Sequence, residues 1–137
     1  MPSMIVDASV ALGWHIGDEV TPGVVRILDN VFEGGGIVPS LWPLEVANGL
    51  LLAAKEGRVD QTEMDHVLAE LALVPIEIDT LTGRQAWART WKLAKKHGLT
   101  PYDACYLELA LRLDLPLATL DGKLSVAAAK EGVLVLN

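Results

Sequence analysis

The sequence predicts an α/β fold, a largely parallel sheet with helices on both faces. Three observations carry this. Short apolar runs rich in β-branched residues alternate along the chain with longer stretches of helical periodicity. The apolar fraction is 51% and the mean hydropathy +0.34, which suits strands buried on both faces rather than a sheet wet on one. The 137 residues hold no internal repeat, low-complexity tract or linker, so one domain, residues 1–137, is expected around one sizeable core.

Met4-Ile5-Val6 opens the sheet as a buried strand and runs straight into Asp7. Aspartate is poor in a strand interior, so Asp7 is expected just past the carboxyl end, the edge where open α/β sheets bind ligands. Its plain structural role there is to cap the helical turn Ala8 to Trp14. Pro22 to Phe32 reads as a helix, apolar at Val24, Val25, Ile27, Leu28 and Val31, with Pro22 suited to the first turn. Gly34-Gly35-Gly36 stops it. Phosphate-binding glycine loops follow a strand and open a helix, and this run does the reverse.

Ile37-Val38 is the second strand, and Pro43 to Glu56 a helix closed by Gly57. Asp60, with Glu63 three residues on, opens another helix that runs to about Leu73. Val74 to Ile78 is the third strand. Leu81 to His97 reads as one long helix stopped by Gly98. Thr100-Pro101 starts a helix that runs to Leu113, and Leu115 to Leu120 is the fourth strand, with Pro116 near its start. Gly122 to Lys130 is helical and Val133 to Leu136 is the fifth strand.

Several function classes are disfavoured. No apolar run approaches the ~18 residues of a membrane span, and no basic segment precedes Asp7 as a signal peptide would require. Cys105 is the sole cysteine, which rules out an internal disulfide and fits a reducing cytoplasm. It lies in an apolar helical pattern and reads as a core thiol. A net charge of −7 and a pI near 4.8 argue against non-specific DNA binding through a basic surface. They leave room for a site where acids hold metal ions that in turn meet phosphate.

Four acids fall where such a site belongs. Asp7 and Asp121 follow strands, while Glu45 and Asp103 sit in the first turns of helices. In βαβ units helix starts and strand ends share one edge of the sheet. Singly, each has a structural explanation: Glu45 favours a helix N-terminus, Asp103 completes a Thr100-x-x-Asp103 box, and Asp121-Gly122 can be a turn. Small polar residues accompany them: Ser9 two past Asp7, Asn48 at i+3 from Glu45, and Thr119 two before Asp121. Carboxylates gathered in one crevice repel unless protonated or neutralised, and Mg²⁺ or Mn²⁺ is the hard cation suited to them. No zinc site is offered, because His15, His66 and His97 fall in separate elements. Magnesium commonly meets substrate phosphates, so phosphoryl or phosphodiester chemistry follows.

Between Gly83 and His97 stand Arg84, Arg89, Lys92, Lys95 and Lys96 and no acid, five of the eleven Lys and Arg residues. A solvated helix face explains them equally well. Yet five residues separate His97 from Asp103, at most ~20 Å of chain, so Arg89, Lys92, Lys95 and Lys96 are candidate contacts to an RNA backbone. Trp87 and Trp91 share a face at i,i+4 in that helix. For them, as for Trp14 and Trp42, core packing or a protein interface is favoured over base stacking.

Ile5-Val6-Asp7-Ala8-Ser9, Trp42-Pro43-Leu44-Glu45-Val46-Ala47-Asn48, Tyr102-Asp103-Ala104 and Thr119-Leu120-Asp121 resemble, in order, the motifs of PIN-domain ribonucleases, and most of all the VapC toxins of toxin–antitoxin pairs. The resemblance runs from Met4 to the fifth strand. It implies a three-layer α/β/α sandwich with a five-stranded parallel sheet in order 3-2-1-4-5. It also implies a Mg²⁺- or Mn²⁺-dependent endoribonuclease, a homodimer and inhibition by a cognate antitoxin. Carried over, Asp7, Glu45, Asp103 and Asp121 become metal ligands or their close supports, and Ser9, Asn48 and Thr119 position them. Three rivals share the acidic edge. A phosphoacceptor receiver domain needs a lysine after the fifth strand, where only Asn137 stands, and a haloacid-dehalogenase-like phosphatase needs a second aspartate, absent from Asp7-Ala8-Ser9. The third is a non-catalytic interaction module whose acids only cap helices.

Overall fold

The computed structural model describes residues 1–137. Five parallel strands lie in the order β3-β2-β1-β4-β5. They are β1 (Met4–Val6), β2 (Gly36–Val38), β3 (Ile76–Ile78), β4 (Leu117–Ala118) and β5 (Val135–Leu136). The helices are α1 (Ala8–His15), α2 (Pro22–Gly34), α3 (Trp42–Lys55), α4 (Gln61–Leu71), α5 (Thr82–Gln85), α6 (Arg89–His97), α7 (Pro101–Leu113) and α8 (Gly122–Lys130). None of them is long and apolar enough to cross a membrane.

The three inner strands are buried at every residue, as their unbroken apolar runs require. Their ladder outlasts the formal strands: Ile5 N–H donates to Pro116 O and Asp7 N–H to Ala118 O, each at 2.9 Å. Asp7 is thereby fixed to the backbone at the carboxyl end of the central strand. Thirty-four buried apolar side chains form one contiguous core. Helix α7 is the most enclosed element, buried from Ala104 through Ala110, and packs on β1, β4, α5, α6 and α8. Helices α1 and α3 touch closely at Gly49, where a Cβ would collide with the Leu12 side chain.

Helices α4 and α7 start at the caps read in the sequence, Asp60 and Thr100, and α2 starts at a further one, Thr21. Thr21, Asp60 and Thr100 accept from Val24 N–H, Glu63 N–H and Asp103 N–H at 3.2, 2.8 and 3.1 Å. Gly35 ends α2 with a φ of 76°, a left-handed conformation that suits glycine.

One expected element is broken. The stretch Leu81 to His97 forms two helices, α5 and α6, separated by a turn in which Ala88 takes φ −117° and ψ −105°. The cause is tertiary. The Thr82 hydroxyl donates to Asp79 Oδ2 at 2.9 Å and accepts from Ser40 N–H at 3.1 Å, which ties α5 to the ends of β3 and β2. Helix α6 instead follows α7, burying Thr90 and Ala94. Each helix follows its own anchor, and the chain turns between them at residues 86–88. Trp87 lies in that turn, 95% exposed, so it shares no helix face with Trp91, which is also exposed.

Candidate active site

Asp7 is 6% exposed and occupies the cap position of α1, yet its carboxylate makes no capping hydrogen bond. Its Oδ2 instead accepts the Ser9 and Thr119 hydroxyls, each at 2.7 Å. Those hydroxyls serve twice: Ser9 Oγ accepts from Leu120 N–H and Thr119 Oγ1 from Asp121 N–H, both at 3.1 Å. Two short side chains thus stitch the end of β1 to the segment leaving β4. No side chain bonds to Oδ1.

Glu45 lies in the first turn of α3, and its Oε1 accepts the hydroxyl of Tyr106, a fully buried residue of α7. Asp103 stands in the first turn of α7, behind Thr100 and Pro101. Asp121 caps α8: its Oδ1 accepts from Lys123 N–H at 2.9 Å and Leu124 N–H at 3.1 Å. That leaves Oδ2 free of the cap.

No ion pair neutralises the charge at this edge, and Lys123 only offsets part of it at Asp103. Burial holds the Asp7 carboxyl above the usual range; the Ser9 and Thr119 hydroxyls pull it down, and the Asp121 charge pushes it up. Burial likewise raises Glu45, against the Tyr106 bond and with the charges of Asp7 and Asp103. Asp103 is raised by burial, then by Asp121 and Asp7. None of the four takes part in an ion pair. Asp79 and Glu108, buried nearby, make the contrast. Arg112 donates to Asp79 at 2.7 and 3.1 Å and to Glu108 at 2.8 and 3.1 Å. Buried acids are ordinarily paired in this way.

The acids lie close enough together that the charges of their neighbours help to raise Asp7, Glu45 and Asp103, although no three of the four close on one point as a finished ligand set. Their donors are all oxygens, a set that suits a hard divalent cation. Cys105 adds no soft ligand, because burial pushes its thiol far up and keeps it protonated.

The remaining candidates are more dispersed. Asn48 is exposed on α3. Arg89 and Lys92 line a groove of about 220 Å³ with Leu93, Glu108 and Leu111, a lining that includes none of the four site acids. Lys96 pairs with Glu131 at 2.7 Å, beyond the carboxyl end of α8, and Lys95 is exposed. Tyr106 was not singled out in the sequence. Its only signal is its spacing three residues after Asp103, inside a run that reads as core.

The family model for the PIN domain matches residues 4–130. Ribonuclease VapC3 of Pyrobaculum aerophilum is 30% identical over 122 residues, covering 89% of this chain and 92% of the relative. Ribonuclease VapC1 of Mycobacterium tuberculosis is 31% identical over 129 residues, covering 93% and 92%. Among solved structures, PAE2754 from Pyrobaculum aerophilum superposes with a TM-score of 0.70 at 23% identity, over 98% of this chain and 89% of that one. FitAcB from Neisseria gonorrhoeae gives 0.61 at 20% identity, over 98% and 96%.

Proposed function

The chain belongs to the PIN-domain family and is of the VapC ribonuclease type, and on that premise we propose that it is a divalent-metal-dependent endoribonuclease, the toxin of a type II toxin–antitoxin pair. The observation that carries this reading is the row of carboxylates at the sheet's carboxyl edge, buried or half-buried and held in no ion pair. Asp7, Glu45, Asp103 and Asp121 would hold Mg²⁺ or Mn²⁺, with Asp7 central because it rises from the middle strand. The ion supplies the Lewis acidity that phosphodiester hydrolysis by water requires.

The protein's own side chains do the positioning. Ser9 and Thr119 fix Oδ2 of Asp7 and leave Oδ1 for the ion. Tyr106 fixes one oxygen of Glu45, and the α8 cap fixes one of Asp121. Each acid keeps an oxygen in reserve. Asn48 would help to order the site from the α3 side, and Arg89, Lys92, Lys95 and Lys96 would meet RNA phosphates along α6. The reading includes a single domain over residues 1–137, action in the cytoplasm, a homodimer, and silencing by a cognate antitoxin.

The test is cleavage of RNA by the purified protein with Mg²⁺ or Mn²⁺ and with EDTA, for the wild type and Asp7→Asn. Cleavage should need the metal and vanish in the variant while the fold persists. Wild-type rates from Asp7→Asn, with metal present, would sink the assignment. Mapping of RNA 5′ ends after induced expression then identifies the transcript cut.

A further inference from the structure

A slot of about 210 Å³ opens beside the acids, between the loop after β2, the α5–α6 turn and the start of α7. Its walls are the helix starts that carry the site. Leu41, on one wall, accepts the backbone N–H of Glu45 at 3.0 Å; Tyr102 and Cys105, on another, flank Asp103. Leu41, Tyr102 and Cys105 of the lining thus stand within about one helical turn of Glu45 or Asp103, ~5 Å along the axis.

The lining is mostly apolar, with one unmet polar group. Thr90 is 2% exposed, and its hydroxyl has no hydrogen-bond partner. A buried hydroxyl without a partner costs free energy, and a turn of χ1 exchanges its methyl and hydroxyl at the floor. At the lip stands the Tyr102 ring, 66% exposed. The rim is held rigid by the Thr82 hydroxyl bridging Ser40 and Asp79. A narrow apolar slot with one polar atom inside and an aromatic ring at its mouth suits a flat heterocycle with a polar edge.

We propose that this slot receives one nucleobase of the RNA next to the bond being cut, and that Thr90 and Tyr102 set the base preference of cleavage. The proposal rests on the ribonuclease reading above. Neither residue belongs to the carboxylate site, so their variants separate recognition from chemistry.

Two substitutions test it. Thr90→Val removes the hydroxyl at nearly constant volume, and Ala86→Leu fills the slot from the α5–α6 turn. Random-sequence RNA is cut by each protein and the new 5′ ends are sequenced; thermal unfolding confirms that each variant folds. The wild type should show a base preference at one position beside the cut. Thr90→Val should flatten it at least fivefold, with total cleavage retained. Ala86→Leu should slow cutting of the preferred RNA about tenfold, yet cut at the wild-type rate an RNA that is abasic at that position. Profiles unchanged in both variants overturn the proposal.

A second measurement keeps the outcome independent of catalysis and of any single variant. The four 5′-ribonucleoside monophosphates are titrated in EDTA and followed by NMR. Selective shifts at Thr90, Tyr102 and Cys105 that are lost in Ala86→Leu uphold the slot, even if no RNA is cut and the nuclease reading falls. No shifts there, in a protein that does cut RNA, sink the slot and leave that reading intact.

Discussion

Two hydroxyls do most of the work of keeping Asp7 charged, set against the loss of nearly all its water. An acid whose folded pKa is raised holds its proton more tightly in the fold than in the open chain. Its charge then costs stability above the folded pKa, and the cost fades as pH falls toward the unfolded value near 3.8. Asp7→Asn should therefore raise Tm by a few degrees at neutral pH, with the gain gone near pH 4. Thermal scans across pH check this, and a lower Tm at pH 7 would contradict it. Added Mn²⁺ should raise the Tm of the wild type and do little for the variant. Tyr106→Phe should weaken activation by Mn²⁺ several-fold while maximal cleavage at saturating metal is nearly kept, because it frees Glu45 without removing it. A metal titration of initial rates decides that. Asp7, Ser9 and Thr119 were legible because strand ends and two-residue spacings are local. Tyr106 was not, since in the run Ala104 to Leu111 nothing local distinguishes a phenol that reaches another helix from one that only fills space.

Among the elements, α7 joins the site to the core. Its first turn carries Asp103, its second Tyr106, and its last Arg112, which holds Asp79 and Glu108 together. Burial works against the charge on Asp79, but Arg112 and Thr82 more than offset it and hold the carboxyl below its ordinary value. Removing the guanidinium strands two buried acids, a loss of ~3–5 kcal/mol. Arg112→Ala should thus lower Tm by about 10 °C at ~2–4 °C per kcal/mol. Most of that loss should return when Asp79→Asn and Glu108→Gln are added, which calorimetry can follow; no recovery would mean that Arg112 acts mainly through packing. Caps, glycine stops and strand runs placed nearly every element from the sequence. The break between α5 and α6 escaped because its cause, Thr82 bonded to Ser40 and Asp79, lies in contacts that no short window contains.

For the whole molecule, charge would set how RNA reaches the proposed site. With a net charge of −7 and few cations beside the acids, the protein can neutralise only a few phosphates. Lys96 is already engaged with Glu131. For about three contacts to single-stranded RNA, log K should fall against log salt with a slope near ~−2. Binding of uncut RNA to Asp7→Asn across salt concentrations measures it, and a slope steeper than about −5 would mean that the contacts lie elsewhere. The sheet order has one more consequence. Ser9 and Asp7 lie near the start of the chain, whereas their partners Leu120 and Thr119 come 111 and 112 residues later. A ribosome adding ~5–20 residues per second therefore carries Asp7 and Ser9 for several seconds before Thr119, the second hydroxyl partner, exists. On the proposed nuclease reading, the nascent chain stays unarmed until β4 and Thr119 have been made and have paired with β1.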